Sequence, residues 1–251
     1  MGLPSGHIVT ELDEHSGRTV WSVRHSPLRK GLTASGGGDG AVRLWGGVHL
    51  EESAGALQCQ CERDGSVSAS SVCCVDWSPQ HCDVLVAALS DGSLVTWDVR
   101  HSRRPLMRWR AHARAASYAK FFGGAHCASA SIDGTLQLWQ LPAGMGGDAA
   151  ASAPDHFRTF AGHANAKNFV GLAVLPEEGL MATGSEDGAA HVYQQSWGVP
   201  MVRHVLDRSA LGAIVTAVAW QPLAASLRCG HGPTLASATS DGLVHLVSLC
   251  A

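Results

Sequence analysis

Ala128-Ser129-Ala130-Ser131-Ile132-Asp133-Gly134-Thr135-Leu136-Gln137-Leu138-Trp139 packs a small-residue strand, a tight turn and a second strand into one short stretch. An Asp-Gly pair between apolar runs is a hairpin signal, because glycine accepts the positive φ such turns need. The alternation Leu136, Leu138 marks a strand with one buried face. The same arrangement recurs at Asp39 to Trp45, Asp91 to Trp97, Asp187 to Tyr193 and Asp241 to Val247, always with a bulky residue at one fixed offset from the aspartate. A constant offset repeated along a chain describes one structural unit used several times.

Working upstream, each turn is preceded by a short Ala/Ser/Gly-rich strand: Thr33-Ala34-Ser35, Val86-Ala87-Ala88, Ala182-Thr183-Gly184-Ser185 and Ala236-Ser237-Ala238-Thr239 in the other four units. Small residues there let neighbouring sheets approach near a crowded axis. A third, more apolar strand comes earlier: Val20 to Val23, Val72 to Val75, Ala116 to Phe121, Phe169 to Val174 and Val215 to Trp220. His15, His112 and His163 stand ahead of three of these. The stretches Glu51 to Ser70, Pro142 to Asp155 and Ala224 to Pro233 read as exposed loops between units.

The order His, strand Ser or Thr, Asp, Trp resembles the WD40 repeat, whose units are four-stranded propeller blades. The expected fold is therefore all-β, a WD40 β-propeller with five recognisable four-stranded blades over about 13–58, 71–110, 111–160, 161–206 and 210–250, in one domain spanning 1–251. His112, Ser129, Asp133 and Trp139 match the structural tetrad of that family. Blades four and five lack the Trp, and no His precedes Val72 of blade two or Val215 of blade five; these blades are expected to rest on apolar packing alone. The WD40 proteins that this chain most closely resembles usually build seven blades. Five imply an incomplete, open ring, with residues 7 to 12 as the outer strand of a blade whose inner strands are missing.

Composition narrows the function. Apolar residues make up 45% and charged residues 16%, a globular balance, and 29 glycines suit a turn-rich β protein. A formal charge of −3 gives no basic footprint for nucleic acid. No stretch approaches the roughly 20 apolar residues of a membrane span, so a soluble protein of nucleus and cytoplasm is expected. The eight cysteines form no disulfide framework and read as buried thiols. Cys59 and Cys61 with His49 lack the second ligand pair of a zinc site, so no metal or cofactor is expected. No G-x-S-x-G, P-loop or H-E-x-x-H occurs, and Asp-Gly pairs spread over every unit do not converge on one pocket, so the chain is read as non-catalytic.

Gly162-His163-Ala164-Asn165-Ala166-Lys167-Asn168-Phe169-Val170-Gly171-Leu172 departs from generic repeats. With Val72-Cys73-Cys74-Val75, Ala116 to Phe121 and Gly184-Ser185-Glu186, it closely resembles the plant photomorphogenesis WD40 class: the constitutive photomorphogenic ubiquitin ligase, its suppressor-of-phytochrome partners and the repressors of UV-B photomorphogenesis. The Glu14 to Trp21 spacing and Trp197-Gly198-Val199-Pro200 are most similar to the repressors. That resemblance implies binding of the UV-B photoreceptor, and of Val-Pro peptides flanked by acids, at the channel face. Arg43 and Arg114 would pair with the acids, Phe169 would line an apolar slot, and Trp45 is either a peptide contact or the tetrad Trp of blade one. The alternatives are a fragment of the ligase or its partner, and a generic WD40 scaffold. Trp97-Asp98-Val99-Arg100 resembles the box that docks on the cullin-4 adaptor, which implies that Trp97, Asp98 and Arg100 meet that partner.

Overall fold

The structure is a computed structural model that describes residues 11–47, 52–63, 66–101, 103–143, 153–205, 212–222 and 232–249. Blade one is an antiparallel sheet of β1 (Val20–His25), β2 (Thr33–Gly37), β3 (Ala41–Gly46) and β4 (Glu52–Gln58). After a hairpin of β5 (Gln60–Arg63) and β6 (Ser66–Ala69), blade two runs through β7 (Val72–Trp77), β8 (Val84–Leu89), β9 (Ser93–Asp98) and β10 (Met107–Arg110). Blade three is β11 (Ala116–Phe122), β12 (His126–Ser131), β13 (Leu136–Gln140) and β14 (Asp155–Phe160). Blade four is β15 (Leu172–Leu175), β16 (Leu180–Thr183), β17 (Ala189–Gln194) and β18 (Val202–Val205). Blade five shows three strands among the described residues, β19 (Val215–Trp220), β20 (Thr234–Thr239) and β21 (Val244–Ser248).

The five Asp-Gly turns sit where expected, each joining the second and third strands of its blade. Gly92 shows why glycine is required: its φ is +86°, and a Cβ there would stand 2.5 Å from the carbonyl oxygens of His112 and Arg114. That crowding comes from Ala111 and His112, whose N–H groups both donate to the Gly92 carbonyl and strap blade two to blade three.

Among the described residues, four apolar cores lie between successive blades. Leu44 and Leu57 of blade one meet Val75, Trp77 and Leu85 of blade two. Val86 and Leu94 of blade two meet Phe121 and Trp139 of blade three. Leu136, Leu138 and Phe160 then pack on Met181 and Tyr193, and Val192 on Val215 and Leu235. Each fully buried Leu, Val or Phe contributes about 1.5–3 kcal/mol, so stability accumulates interface by interface, as in other repeat arrays. Val20 and Val23 of blade one and Val244 and Leu246 of blade five are exposed.

Three expectations change. Glu52–Gln58 is not a loop but the outer strand of blade one, paired with β3 throughout. Its small and polar residues concealed it, because an outer strand needs little apolar content beyond Leu57, which is buried. Phe169 precedes its strand, which begins at Leu172. Blade four does not rest on apolar packing alone, since His163 Nδ1 is hydrogen-bonded to the Tyr193 hydroxyl at 2.9 Å. Residues 7–10 of the expected extra strand, His49, and most of the stretches 142–155 and 224–233 lie outside the described residues.

Candidate functional site: the channel face

The inner strands β1, β7, β11, β15 and β19 line the channel. Their registers place each Asp-Gly turn at the same end as the start of its inner strand, as in Val20↔Gly37, Val72↔Leu89, Ala116↔Ser131 and Val215↔Thr239. All five turns therefore rim one face.

That rim is held by polar networks. In blade three, His112 Nε2 is 2.8 Å from Ser129 Oγ and Nδ1 is 3.1 Å from Asp133, while the Trp139 indole N–H donates to the same Ser129 oxygen at 3.2 Å. Blade one repeats the arrangement with His15, Ser35, Asp39 and Trp45. Burial opposes ionisation of Asp133, but hydrogen bonds from His112 and Thr135 outweigh it and hold the carboxyl well below the usual range. Blades two and four have another device that the sequence motif concealed. The residue four after the aspartate pairs across the sheet with an arginine, Val95 with Arg108 and His191 with Arg203. These arginines reach Asp91 at 2.7 Å and Asp187 at 3.0 Å. The outer strand thus supplies the countercharge.

The structure assigns Trp45 to the tetrad. It is 5% exposed and its N–H donates to Ser35 Oγ at 2.8 Å, which removes it from any peptide surface. Arg43 is on the rim but is engaged by Asp39 and Glu14, each at 3.4 Å. Arg114, also on the rim, is exposed and donates to the Ile132 carbonyl at 2.9 Å. Phe169 lies at the channel mouth, where its ring is 5.9 Å from that of Trp21, at 57°.

Trp21 was not among the expected site residues, because its side chain reads in the sequence as an ordinary strand residue. It is the extra residue of a β-bulge between Val20 and Ser22, and bulges re-aim side chains. Register shifts also fall between Val72 and Cys74, Ala116 and Tyr118, and Val215 and Ala217, whereas β15 pairs without one. Behind Trp21 and Phe169 is a cavity of about 390 Å3 walled by Val23, Arg24, Cys73, Tyr118 and Lys120. Burial, helped by the neighbouring Cys74, pushes the Cys73 thiol up to about 12, so it is an apolar wall rather than a nucleophile.

Asp98 and Arg100 lie at the opposite face, where β9 ends, whereas Trp97, expected to meet the adaptor with them, is buried in the core between blades one and two and is not presented to a partner. Asp98 is buried and holds Arg100 through paired hydrogen bonds, Nη2 to Oδ2 at 2.5 Å and Nε to Oδ1 at 2.9 Å. Asp83 adds a contact at 3.7 Å and binds Arg29 at 2.8 Å. The Arg100 hydrogen bonds hold the Asp98 carboxyl below its ordinary range. Among the described residues no group of His, Cys, Asp and Glu could hold a metal ion.

Radially arranged antiparallel sheets tied by His-Ser-Asp-Trp networks define a WD-repeat propeller, a scaffold for protein interactions. Residues 6–46, 57–98 and 155–194 match the family described as WD domain, G-beta repeat. The chain belongs to the WD40-repeat proteins and, within them, to the photomorphogenesis class. It is 31% identical over 243 residues to Protein SPA1-RELATED 3 of Arabidopsis thaliana, covering 96% of this chain and 27% of that protein. It is 33% identical over 196 residues to WD repeat-containing protein RUP2 of Arabidopsis thaliana, covering 77% and 49%. It is 31% identical over 249 residues to E3 ubiquitin-protein ligase COP1 of Pisum sativum, covering 96% and 32%. The chain thus spans less than half the length of each of these relatives.

Proposed function

We propose that this chain is a non-catalytic regulator of UV-B signalling in nucleus and cytoplasm that binds the UV-B photoreceptor through the Asp-Gly face of its propeller. The observation that carries the site is the facing pair Trp21 and Phe169 over a cavity with cationic and aromatic walls. Extended peptides need such an apolar slot beside cations when a Val-Pro core is flanked by acids. Arg114 on the same rim suits an acidic flank. The Glu14 to Trp21 spacing and the Trp197 to Pro200 segment support the repressor reading over the ligase and its partners, and the similarity to RUP2 agrees with it.

A pull-down against the photoreceptor, comparing the wild type with the combined Phe169→Ala and Arg114→Glu variant, tests this reading. Binding by the wild type and its loss in the variant are expected. No binding by the wild type sinks the assignment, and unchanged binding by the variant sinks the site.

A second role, as a cullin-4 substrate receptor, is favoured by the Asp98–Arg100 pair at the end of β9, with Arg100 half-exposed. Loss of adaptor co-purification on Arg100→Ala is the expected outcome.

A further inference from the structure

Arg24, Asp76 and Lys120 occupy one level of the channel. Each belongs to the inner strand of its blade and pairs with the residue five before the turn aspartate: Arg24 with Ala34, Asp76 with Val86, Lys120 with Ala128. At the same register blades four and five carry Ala173, opposite Ala182, and Ala219, opposite Ala236. The level therefore holds two cations and one carboxylate, a net charge of +1 among the described blades.

Asp76 does not use up its neighbours. Its Oδ2 accepts the Phe121 N–H at 3.1 Å, and its Oδ1 stands 3.4 Å from Lys120 Nζ and 3.8 Å from Arg24 Nε. Lys120 is 7% exposed, and a buried ammonium with a single long ion pair is poorly compensated. Both cations line the cavity behind Trp21 and Phe169.

We propose that this level is a carboxylate-binding subsite, in which Arg24 and Lys120 receive the acidic side chain of a peptide whose neighbouring apolar residue rests on Trp21 and Phe169. The inference rests on the peptide-binding reading above and goes deeper than the rim. An entering carboxylate cancels the residual charge and gives Lys120 a second acceptor, in surroundings where charge-assisted hydrogen bonds are strong. Asp76 acts as a positioning residue. It draws both cations to one carboxylate oxygen and, being negative, limits entry to a single acid.

The test uses fluorescence anisotropy with three labelled synthetic decapeptides: one with a Val-Pro pair and one nearby Asp, its Asn counterpart, and the Asp peptide with an amidated C-terminus. The full chain and the variants Arg24→Gln, Lys120→Gln, Asp76→Asn and Phe169→Ala are compared, with circular dichroism to confirm folding. Arg24 is half-exposed, so Arg24→Gln retains the fold even if Lys120→Gln does not. The wild type should bind the Asp peptide about tenfold or more tightly than the Asn peptide. Arg24→Gln should remove that preference without changing Asn-peptide affinity, Asp76→Asn should enlarge it, and amidation should have no effect. Equal binding of the Asp and Asn peptides by the wild type overturns the subsite, as does equal weakening of both by Arg24→Gln. Loss of affinity on amidation would assign the cations to a C-terminal carboxylate and overturn the side-chain proposal. If Phe169→Ala still weakens binding in those cases, the peptide-binding reading survives. Failure of every peptide to bind overturns both.

Discussion

The indole of Trp21, on the inner strand of blade one, stands 5.9 Å from the ring of Phe169, just ahead of the inner strand of blade four. Residues far apart in the chain meet here because the intervening blades curve around a common channel, and the bulge at Trp21 turns its side chain inward. Trp21 is 52% exposed, more than a ring serving only as core would be.

Trp21→Ala and Phe169→Ala should each weaken photoreceptor binding about tenfold or more while leaving the melting temperature nearly unchanged. A double-mutant cycle should return a coupling of about 1 kcal/mol, the range for facing aromatic rings. Calorimetric titration of the four proteins checks it, and a coupling of zero would remove the pair from the site.

Ser129 accepts from Trp139 and is bonded to His112 in a fully buried position. Ser129→Ala strands both partners and should cost about 2–3 kcal/mol in urea unfolding. A surface serine such as Ser196 should cost under about 0.5 kcal/mol.

The Asp133 carboxyl is held below its ordinary range in the folded protein. Its stabilising contribution is complete above about pH 4, the unfolded value, and is lost as pH falls toward the depressed folded value. Unfolding free energies measured from pH 5 to 2 should fall, and the slope should be shallower in Asp133→Asn.

His163 shifts in the sense opposite to a stabilised cation. Burial, reinforced by His191, lowers it to about 4. The unfolded chain binds its proton near pH 6.5 while the folded chain does not, so stability is present above 6.5 and declines as pH falls to about 4. The loss should be on the order of 3 kcal/mol over that window. His163→Gln should flatten this part of the profile, and an unchanged profile would refute the assignment.

Gly92→Ala should destabilise by about 3 kcal/mol, combining positive-φ strain with the close approach of two carbonyl oxygens. Thermal unfolding reads the effect. Gly17→Ala, which has positive φ but no neighbour within 4 Å, should lose less.

Much of the scaffold was legible from residues alone. Asp133, Gly134 and Trp139 named the turn, the strand and its end, because hairpin chemistry and alternation act over a few residues. The candidate site was legible only in part. Phe169 stood out through its unusual neighbourhood, but Trp21 read as one more apolar strand residue. Trp45 carried two readings that residue type could not separate, and the arginine partners of Asp91 and Asp187 were invisible because strand pairing, not spacing, brings them close.

The sequence by itself determined five units, the positions of their turns and the identity of the tetrad, all products of short-range patterning. Tertiary structure decided which side chains share a level of the channel. Arg24, Asp76 and Lys120 meet because three registers and three bulges bring three blades to the same depth. It also gave Trp45 to Ser35 and Arg100 to Asp98. Those outcomes depend on distances across blades and on competition among hydrogen-bond partners, and neither is encoded in the local period of the repeat.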